Sequence, residues 1–237
     1  MPKGLLEVIA ADAEDARRAV SAGAHRLELV SSMQYAGFCP TPETVESVLA
    51  AVDVPVRVML RLREGFGAGG AEGVTELVEA AAGLRAAGAR EFVLGWLDGG
   101  GAVDLAAVTA VLDTLDGLPW TFHKAVDDAS VDRPALFEAI RGLPGLDTVL
   151  SSGGPVPSGQ GADVLAAEAA REAGLGAKGL KLLVGGGLRL EDIPVLQARG
   201  LADFHVGSAV RVGGSWEHPV DPGIVEHWRT AVDAVEG

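Results

Sequence analysis

Ionisable side chains stand inside several short apolar segments of this 237-residue chain, where a plain hydrophobic core would have none. Glu7, Glu28 and His205 each have an apolar or aromatic residue on both sides, and Arg61 and His123 lie at the ends of similar segments. Carboxylates and imidazoles exchange protons near neutral pH, and a guanidinium neutralises developing negative charge. If one fold brings these groups together, they predict proton-transfer chemistry on a small anionic molecule.

Two other interpretations of the same residues stay open. Glu7, Glu28, Arg57 and Arg61 could form a structural cluster of ion pairs, because a carboxylate buried without a partner is strongly unfavourable. Two glutamates and two histidines would also suit a divalent metal, although no HExxH or similarly spaced ligand motif supports one. An apolar core would be at least as stable as buried ion pairs, and this favours a functional pocket.

A further polar group follows the fifth apolar segment. His123, Lys124 and Asp127 lie within five residues there, and we expect His123 and Asp127 to belong to the same catalytic site. Lys124 could form a Schiff base with a carbonyl substrate. If the strand continues through this point, Lys124 has the opposite parity to His123, which argues against that role.

The elements that position these residues alternate along the chain in units of about 30 residues, the size of a strand, a helix and their loops. The strand-like segments span residues 5–10, 25–30, 54–61, 90–97, 118–126, 146–152, 179–185 and 202–208. The helix patterns span residues 12–24, 41–52, 73–89, 104–117, 132–143, 161–174, 189–200 and 222–235. Asp12 and Thr41 are predicted N-caps of the first two helices.

Eight such units predict an α/β fold, a (β/α)₈ TIM-type barrel, in a single domain covering residues 1–237. A doubly wound open sheet is the alternative, but it usually carries GxGxxG after the first strand, and that motif is absent here. In a barrel, alternate strand residues point inward. On the third strand Arg57 and Arg61 share one parity, and Val56, Val58 and Leu60 share the other.

Glycine-rich turns follow the last strands, where many barrels bind phosphate through backbone N–H groups. One is Gly185–Gly187 and another is Val206–Ala209; Ser151–Gly154 could extend the same rim. Ordinary tight turns are the alternative. The candidate anion-binding residues are Arg26, Ser152, Gly186, Gly207 and Ser208.

The composition restricts the partners. Nineteen Lys and Arg against 33 Asp and Glu give a formal net charge of −14, so we expect neither a nucleic acid nor an anionic membrane as partner. No stretch of 18 uncharged apolar residues predicts a membrane span.

The lone cysteine, Cys39, excludes an intramolecular disulfide and fits a reducing, cytoplasmic setting. It is a small buried hydrophobe, a reactive thiol or a soft-metal ligand, and in the last case Met33 and Met59 could add thioether donors.

The motifs, taken together and in order, resemble the CutC copper-homeostasis family. The matching stretches are Leu6–Val8, Arg26–Leu29, Gly37–Pro40, Val58–Arg63, Thr121–Asp127, Ser151–Gly153, Gly185–Gly187 and Phe204–His205. The resemblance implies a TIM-type barrel, a cytoplasmic location, a homodimer or larger homo-oligomer, and copper tolerance and binding. An enzymatic activity is also suspected for the family.

The resemblance also implies a polar pocket in this chain. Its residues would be Glu7, Arg26, Glu28, Arg61, His123, Asp127 and His205. Val30 stands where the family often has a cysteine that is among its proposed copper ligands, which leaves Cys39 as the candidate metal ligand here. Two functions therefore follow from the sequence: a Cu(I)-handling protein, or an isomerase, epimerase or lyase acting on a small anionic or phosphorylated metabolite.

Overall fold

Eight parallel strands close into a barrel, as predicted, because the first strand pairs with both the second and the eighth. The computed structural model describes residues 4–33 and 37–234. The strands are β1 Leu6–Ala10, β2 Arg26–Leu29, β3 Val56–Met59, β4 Glu91–Leu94, β5 Trp120–Phe122, β6 Leu146–Ser151, β7 Lys181–Gly185 and β8 Asp203–Val206. Each lies within the segment that the sequence predicted.

A helix follows each strand and covers the outside of the barrel. The helices are α1 Ala13–Ser21, α2 Pro42–Leu49, α3 Gly70–Ala86, α4 Leu105–Leu115, α5 Arg133–Ile140, α6 Ala162–Gly174, α7 Ile193–Gln197 and α8 Pro222–Asp233. Both predicted caps are confirmed: the Asp12 carboxylate accepts from the first turn of α1, and the Thr41 hydroxyl accepts from the first turn of α2. The predicted Val235 end of the last helix lies outside the described residues.

Two elements differ from the predicted bounds by a whole turn or more at one end. The fifth strand ends at Phe122, since His123 accepts the Ala125 amide and starts a 3-10 turn over Lys124–Asp127. The seventh helix begins at Ile193 after a 3-10 turn, with Pro194 in its first turn, where a missing N–H is tolerated.

The two faces of each strand lie in different environments. Outward residues such as Val8, Leu27 and Val58 belong to the main hydrophobic core against the helices. Inward apolar residues form a second, smaller cluster of Ile9, Val30, Met59 and Val93. The predicted parity is therefore confirmed, and the inward side has room for the ionisable groups.

The strand register then fixes which of these groups become neighbours. Glu7 lies beside Arg26 on one side and His205 on the other, and Glu28 lies beside Arg57. No helix among the described residues is long and apolar enough to cross a membrane.

Candidate functional site

The barrel interior contains a group of ion-paired residues that we call the basal network: Glu7, Arg26, Arg57, Glu91, Thr121 and Asp147. Arg26 Nε donates to Glu7 Oε2 at 2.5 Å. Arg57 donates to Glu91 at 3.0 Å and to Asp147 at 2.8 Å, and it also contacts the Thr121 hydroxyl. This part of the interior fits the structural alternative considered for the sequence.

Above the basal network, at the carboxyl ends of the strands, a cavity of about 750 Å³ opens. Five of the six residues predicted as catalytic line it; they are Glu28, Arg61, His123, Asp127 and His205. Glu7 does not line the cavity but reaches it through His205, whose Nδ1 donates to Glu7 Oε1 at 2.7 Å. The fold therefore brings the predicted set together.

Glu28 is a buried carboxyl at the cavity wall. Its Oε2 atom has no hydrogen-bond partner among the described residues. The pKa of Glu28 is raised to about 7, mainly by burial. Within this net shift the positive charge of His205 lowers the pKa and the negative charge of Glu7 raises it. A carboxyl with this pKa can both accept and release a proton near neutral pH.

His123 is held neutral. Burial lowers the pKa of His123 to about 3, and the nearby positive charge of Arg61 acts in the same direction. The Ala125 backbone N–H donates to its Nδ1 at 3.1 Å, so the ring proton of the neutral imidazole is on Nε2. That Nε2 is buried and has no partner among the described residues, which leaves it as a hydrogen-bond donor for a ligand.

His205 links the basal network to the cavity. Burial alone would lower its pKa, but the negative charge of Glu28 and the hydrogen bond to Glu7 raise the pKa of His205 above its ordinary value. Glu7, Glu28 and His205 have ligand atoms within 4.8 Å of one another, a spacing that a metal ion could bridge. Because Glu7 is already paired with Arg26 and His205, the arrangement suits a proton relay better than a metal centre.

Arg61 brings positive charge to the cavity. Its Nε donates to the Gly65 carbonyl at 3.0 Å and its Nη1 to the Gly37 carbonyl at 2.9 Å. The guanidinium also lies 5.3 Å from the Phe38 ring centre and 5.7 Å from that of Phe66. Backbone carbonyls and aromatic faces thus help to hold this cation at the cavity wall.

Asp127 lines the cavity, but its carboxylate is fully engaged. It accepts from Arg133 at 2.7 Å, from the Ser151 hydroxyl at 2.7 Å and from the Ser152 backbone at 2.7 Å, and also from Gly154. The geometry fits a residue that fixes the loop after β6 rather than one that transfers protons. Sequence patterns did not point to Arg133, which stands in the next helix.

The predicted anion-binding residues have different surroundings. Ser152, Gly186, Gly207 and Ser208 all line the cavity. The Ser152 hydroxyl is within 2.9 Å of Asp127 and 2.8 Å of the Gly154 carbonyl, and so is used internally. Arg26 is outside the cavity lining, because its pairing with Glu7 holds it in the basal network.

Lys124 takes a place that the sequence analysis did not give it. Strand parity predicted that it would point away from His123, and this was wrong because β5 ends at Phe122. The side chain lines the cavity, and a Cβ atom on Gly186 would lie 2.7 Å from Lys124 Nζ. Gly186 (φ +101°) therefore allows the ammonium to approach the glycine turn after β7.

Cys39 does not line the cavity, although its backbone N–H donates to the Arg61 carbonyl at 2.9 Å. It packs against the outer hydrophobic core. Burial raises the pKa of its thiol to about 11, and Sγ donates weakly to the Pro40 carbonyl at 3.4 Å. The raised pKa disfavours the thiolate form that binds copper.

A closed eight-stranded barrel with acid–base residues at the carboxyl ends of its strands defines a TIM-type barrel with a candidate active site in the usual place. The chain belongs to the CutC family, whose family model matches residues 4–210.

Relatives and solved structures support this. A family protein CutC from Xanthomonas campestris pv. campestris (strain 8004) is 31% identical over 207 residues, which cover 86% of this chain and 82% of the relative. The copper homeostasis protein cutC homolog of Caenorhabditis elegans is 34% identical over 150 residues, 62% of this chain and 59% of the relative.

Among solved structures, CutC from Streptococcus agalactiae superposes with a TM-score of 0.74 at 24% identity, covering 86% of this chain and 98% of that one. Phosphoribosyl anthranilate isomerase from Thermus thermophilus superposes with a TM-score of 0.59 at 17% identity, covering 98% of this chain and 100% of that one. At these identities the superpositions establish the barrel fold.

Proposed function

We propose that this protein is an acid–base catalyst that acts on a small anionic molecule bound in the barrel cavity. The observation that carries the proposal is that two buried polar atoms, Glu28 Oε2 and His123 Nε2, lack partners among the described residues, and both residues line the same cavity. Buried polar groups without partners are unfavourable in a structural core, so a ligand that pairs with them would explain their presence.

Glu28 is the proposed proton-transfer group. With a pKa of about 7, its carboxylate accepts a proton from a substrate carbon next to a carbonyl, and the electron pair of the broken C–H bond moves onto the carbonyl oxygen. Return of the same proton to a different atom or face completes an isomerisation or epimerisation. In a lyase, the electron pair instead expels a leaving group.

His123 is the proposed stabiliser of that oxygen. A neutral imidazole with its proton on Nε2 can donate a hydrogen bond to a developing oxyanion. No change in the protonation state of His123 is needed for this. Arg61 adds positive charge at the same wall. Gly186 and Lys124 offer a glycine turn and an ammonium for the anionic group of the substrate.

The relay of His205 and Glu7 sets the charge around Glu28. His205 is paired with Glu7 at 2.7 Å and has a raised pKa, which favours its protonated form. Positive charge on His205 would stabilise the Glu28 carboxylate after it has lost its proton. Asp127 has a positioning role in this proposal, through the loop that it fixes beside the cavity.

The test is a panel of sugar phosphates and hydroxy acids, screened by thermal stabilisation and by turnover. We expect at least one compound to do both, and Glu28→Gln to retain the stabilisation while losing turnover. Glu46→Gln, an exposed glutamate on α2, is the matched control. A panel in which no compound stabilises the fold or turns over would contradict the proposal.

Copper handling is the second candidate. Met33 and Met59 line the same cavity, and thioethers are donors that suit Cu(I). The donor set of the cavity therefore fits this cargo, whereas the Cys39 thiol does not. The name of the Caenorhabditis elegans relative makes copper worth testing.

The copper test is an anaerobic Cu(I) competition titration of the wild type, Met59→Leu and Cys39→Ala. Stoichiometric binding that is weakened by Met59→Leu and retained in Cys39→Ala would support a cavity site. Binding lost only in Cys39→Ala would instead restore the cysteine as the ligand.

We also expect the protein to be cytoplasmic and to form a homodimer or a larger homo-oligomer, as the family resemblance implies. The single cysteine, kept as a thiol by its raised pKa, is compatible with a reducing compartment. Light scattering of the purified chain tests the oligomeric state.

A further inference from the structure

We propose that Trp216 forms a ring-binding subsite and that the ligand of this protein is an anionic molecule carrying a flat aromatic ring. Only the anionic part of this inference rests on the proposed function. The ring part rests on the loop after β8, which adds one wall to the cavity.

Trp216 combines exposure with a cavity position. Its side chain belongs to the lining, yet the residue is 37% exposed, whereas Trp96, Trp120 and Trp228 are buried. Large aromatic side chains are normally buried, so a tryptophan left open at a cavity wall is a candidate ligand contact.

The indole is held in place from one side. The Arg211 guanidinium lies 4.6 Å from the centre of the ring, and Arg211 is itself buried. Arg211 is fixed by Asp15 at 2.5 Å and by the His218 carbonyl at 2.7 Å. Since this anchored cation covers one face of the indole, a ligand ring would stack on the other, and little reordering of Trp216 would be needed.

Gly207 permits the indole to lie against the barrel. A Cβ atom on Gly207 would lie 2.8 Å from Trp216 Cη2 and 2.8 Å from Ile9 Cδ1. Any side chain at this position would displace one of them. The glycine predicted for anion binding thus also serves the wall formed by Ile9 and Trp216.

The remaining lining decides what kind of ring fits. Ile9 lies with Trp216 around Gly207, and the apolar part of the lining also includes Met33 and Met59, while Ser208 is the polar residue of the same turn. A sugar ring would leave its hydroxyls without partners against these apolar side chains, whereas a flat aromatic ring would not.

The size of the cavity also favours a ligand larger than a small phosphate. At about 750 Å³ it falls in the range of sites for drug-sized ligands, well above the needs of a three-carbon phosphate. The ammonium of Lys124 and the Gly186 turn lie on the same cavity and supply a place for the anionic group. A ligand with a ring and an anionic group would use both features.

The test uses tryptophan emission with three probes: phenyl phosphate, cyclohexyl phosphate and inorganic phosphate. Because the other three tryptophans are buried, emission that acrylamide quenches reports on Trp216. We expect phenyl phosphate to protect this emission and to bind at least tenfold more tightly than cyclohexyl phosphate. Trp216→Ala should abolish that preference, while Trp216→Phe should retain most of it.

The matched control is Val212→Ala, an exposed apolar residue of the same loop that does not line the cavity. It should leave the preference unchanged. Equal affinities for phenyl and cyclohexyl phosphate, or no protection of the emission, would overturn the inference. So would wild-type emission that acrylamide does not quench without ligand, since a second copy or another segment would then cover the ring.

The two proposals fail separately. Glu28→Gln should still bind phenyl phosphate with protected emission, because Glu28 is not part of the ring wall. Protection without turnover of any compound would contradict the acid–base proposal and leave the subsite intact. Turnover of ring-free phosphates that is insensitive to Trp216→Ala would overturn the subsite alone.

Discussion

The basal network and the cavity wall contain the same kinds of residue in the same barrel, but they satisfy them differently. In the basal network the Glu7 and Glu91 carboxylates are paired with arginines, at 2.5 Å and 3.0 Å. On the cavity wall, Glu28 and His123 each leave a buried polar atom without a partner among the described residues. Burial of charge is therefore common to both regions, and Arg26 Nη2 in the basal network also lacks a partner among the described residues. The difference lies in the carboxylates: Glu7 and Glu91 are paired with arginines, whereas Glu28 Oε2 is unpaired.

The two glutamates on adjacent strands make the contrast sharp. Burial alone would raise both pKa values, yet the Arg26 charge and the His205 hydrogen bond bring the pKa of Glu7 down to about 2. Glu28 lacks such a paired arginine and feels the charge of Glu7, so its pKa rises to about 7. One carboxyl is fixed as an anion and the other is free to exchange protons, which is how one fold can assign two roles to one residue type.

The largest expected effect is on turnover. Glu28→Gln keeps the shape of the side chain but cannot exchange a proton, so we expect the rate on any identified substrate to fall by about 10²–10⁴-fold. Ligand-induced thermal stabilisation should remain within the range of the wild type. If the variant retains more than a tenth of the wild-type rate, Glu28 is not the proton-transfer group and its role is structural.

The next effect is on stability and concerns the basal network. Arg57→Met removes a buried guanidinium and leaves Glu91 and Asp147 without it. Breaking a buried pair typically lowers the free energy of unfolding by about 3–5 kcal/mol. We expect the lower end, about 3 kcal/mol, because both carboxylates are partly exposed.

Urea unfolding of Arg57→Met beside Glu28→Gln checks this contrast. Glu28→Gln should not show the same loss. Equal losses in the two variants would mean that the cavity wall is as structural as the basal network.

The sequence could predict which residues face the barrel interior but not which of them are paired. Strand parity and apolar flanks placed Glu7, Glu28 and His205 inside the barrel, because both signals are local. Local signals could not distinguish a paired carboxylate from an unpaired one, since the partner comes from a neighbouring strand or a distant loop. The partners of Asp127 were missed for that reason, whereas the cavity position of Lys124 was missed because β5 ends at Phe122. Trp216 has no periodic context at all, because it stands in a loop.

The dependence of stability on pH sharpens the comparison of Glu7 with Glu28. The native pKa of Glu28, about 7, exceeds its ordinary value of 4.5, so between these pH values the native state holds a proton that the unfolded state has released. The contribution of Glu28 to stability therefore falls as pH rises through this window, by about 3 kcal/mol in total.

Glu7 acts in the opposite sense and at lower pH. Its native pKa of about 2 lies below 4.5, so its contribution is present above pH 4.5 and is lost as pH falls towards 2. Urea unfolding of the wild type and Glu28→Gln at pH 5, 6, 7 and 8 isolates the Glu28 effect. As pH rises, the free energy of unfolding of the wild type should fall relative to that of Glu28→Gln. If the two free energies instead change with pH in the same way, the raised pKa of Glu28 is contradicted.

The smallest expected effect is at Cys39, which lies outside both regions. Its thiol packs against the outer core, and burial raises its pKa to about 11, so we expect neither metal binding nor proton transfer in the cavity to depend on it. Cys39→Ala should lower the free energy of unfolding by about 1 kcal/mol through lost packing alone. Turnover and ligand-induced stabilisation should stay at wild-type values, measured beside Glu28→Gln. A tenfold loss of turnover in Cys39→Ala would mean that the site extends beyond the cavity wall into the loop between β2 and α2, and the contrast between paired and unpaired groups would then not be enough to delimit it.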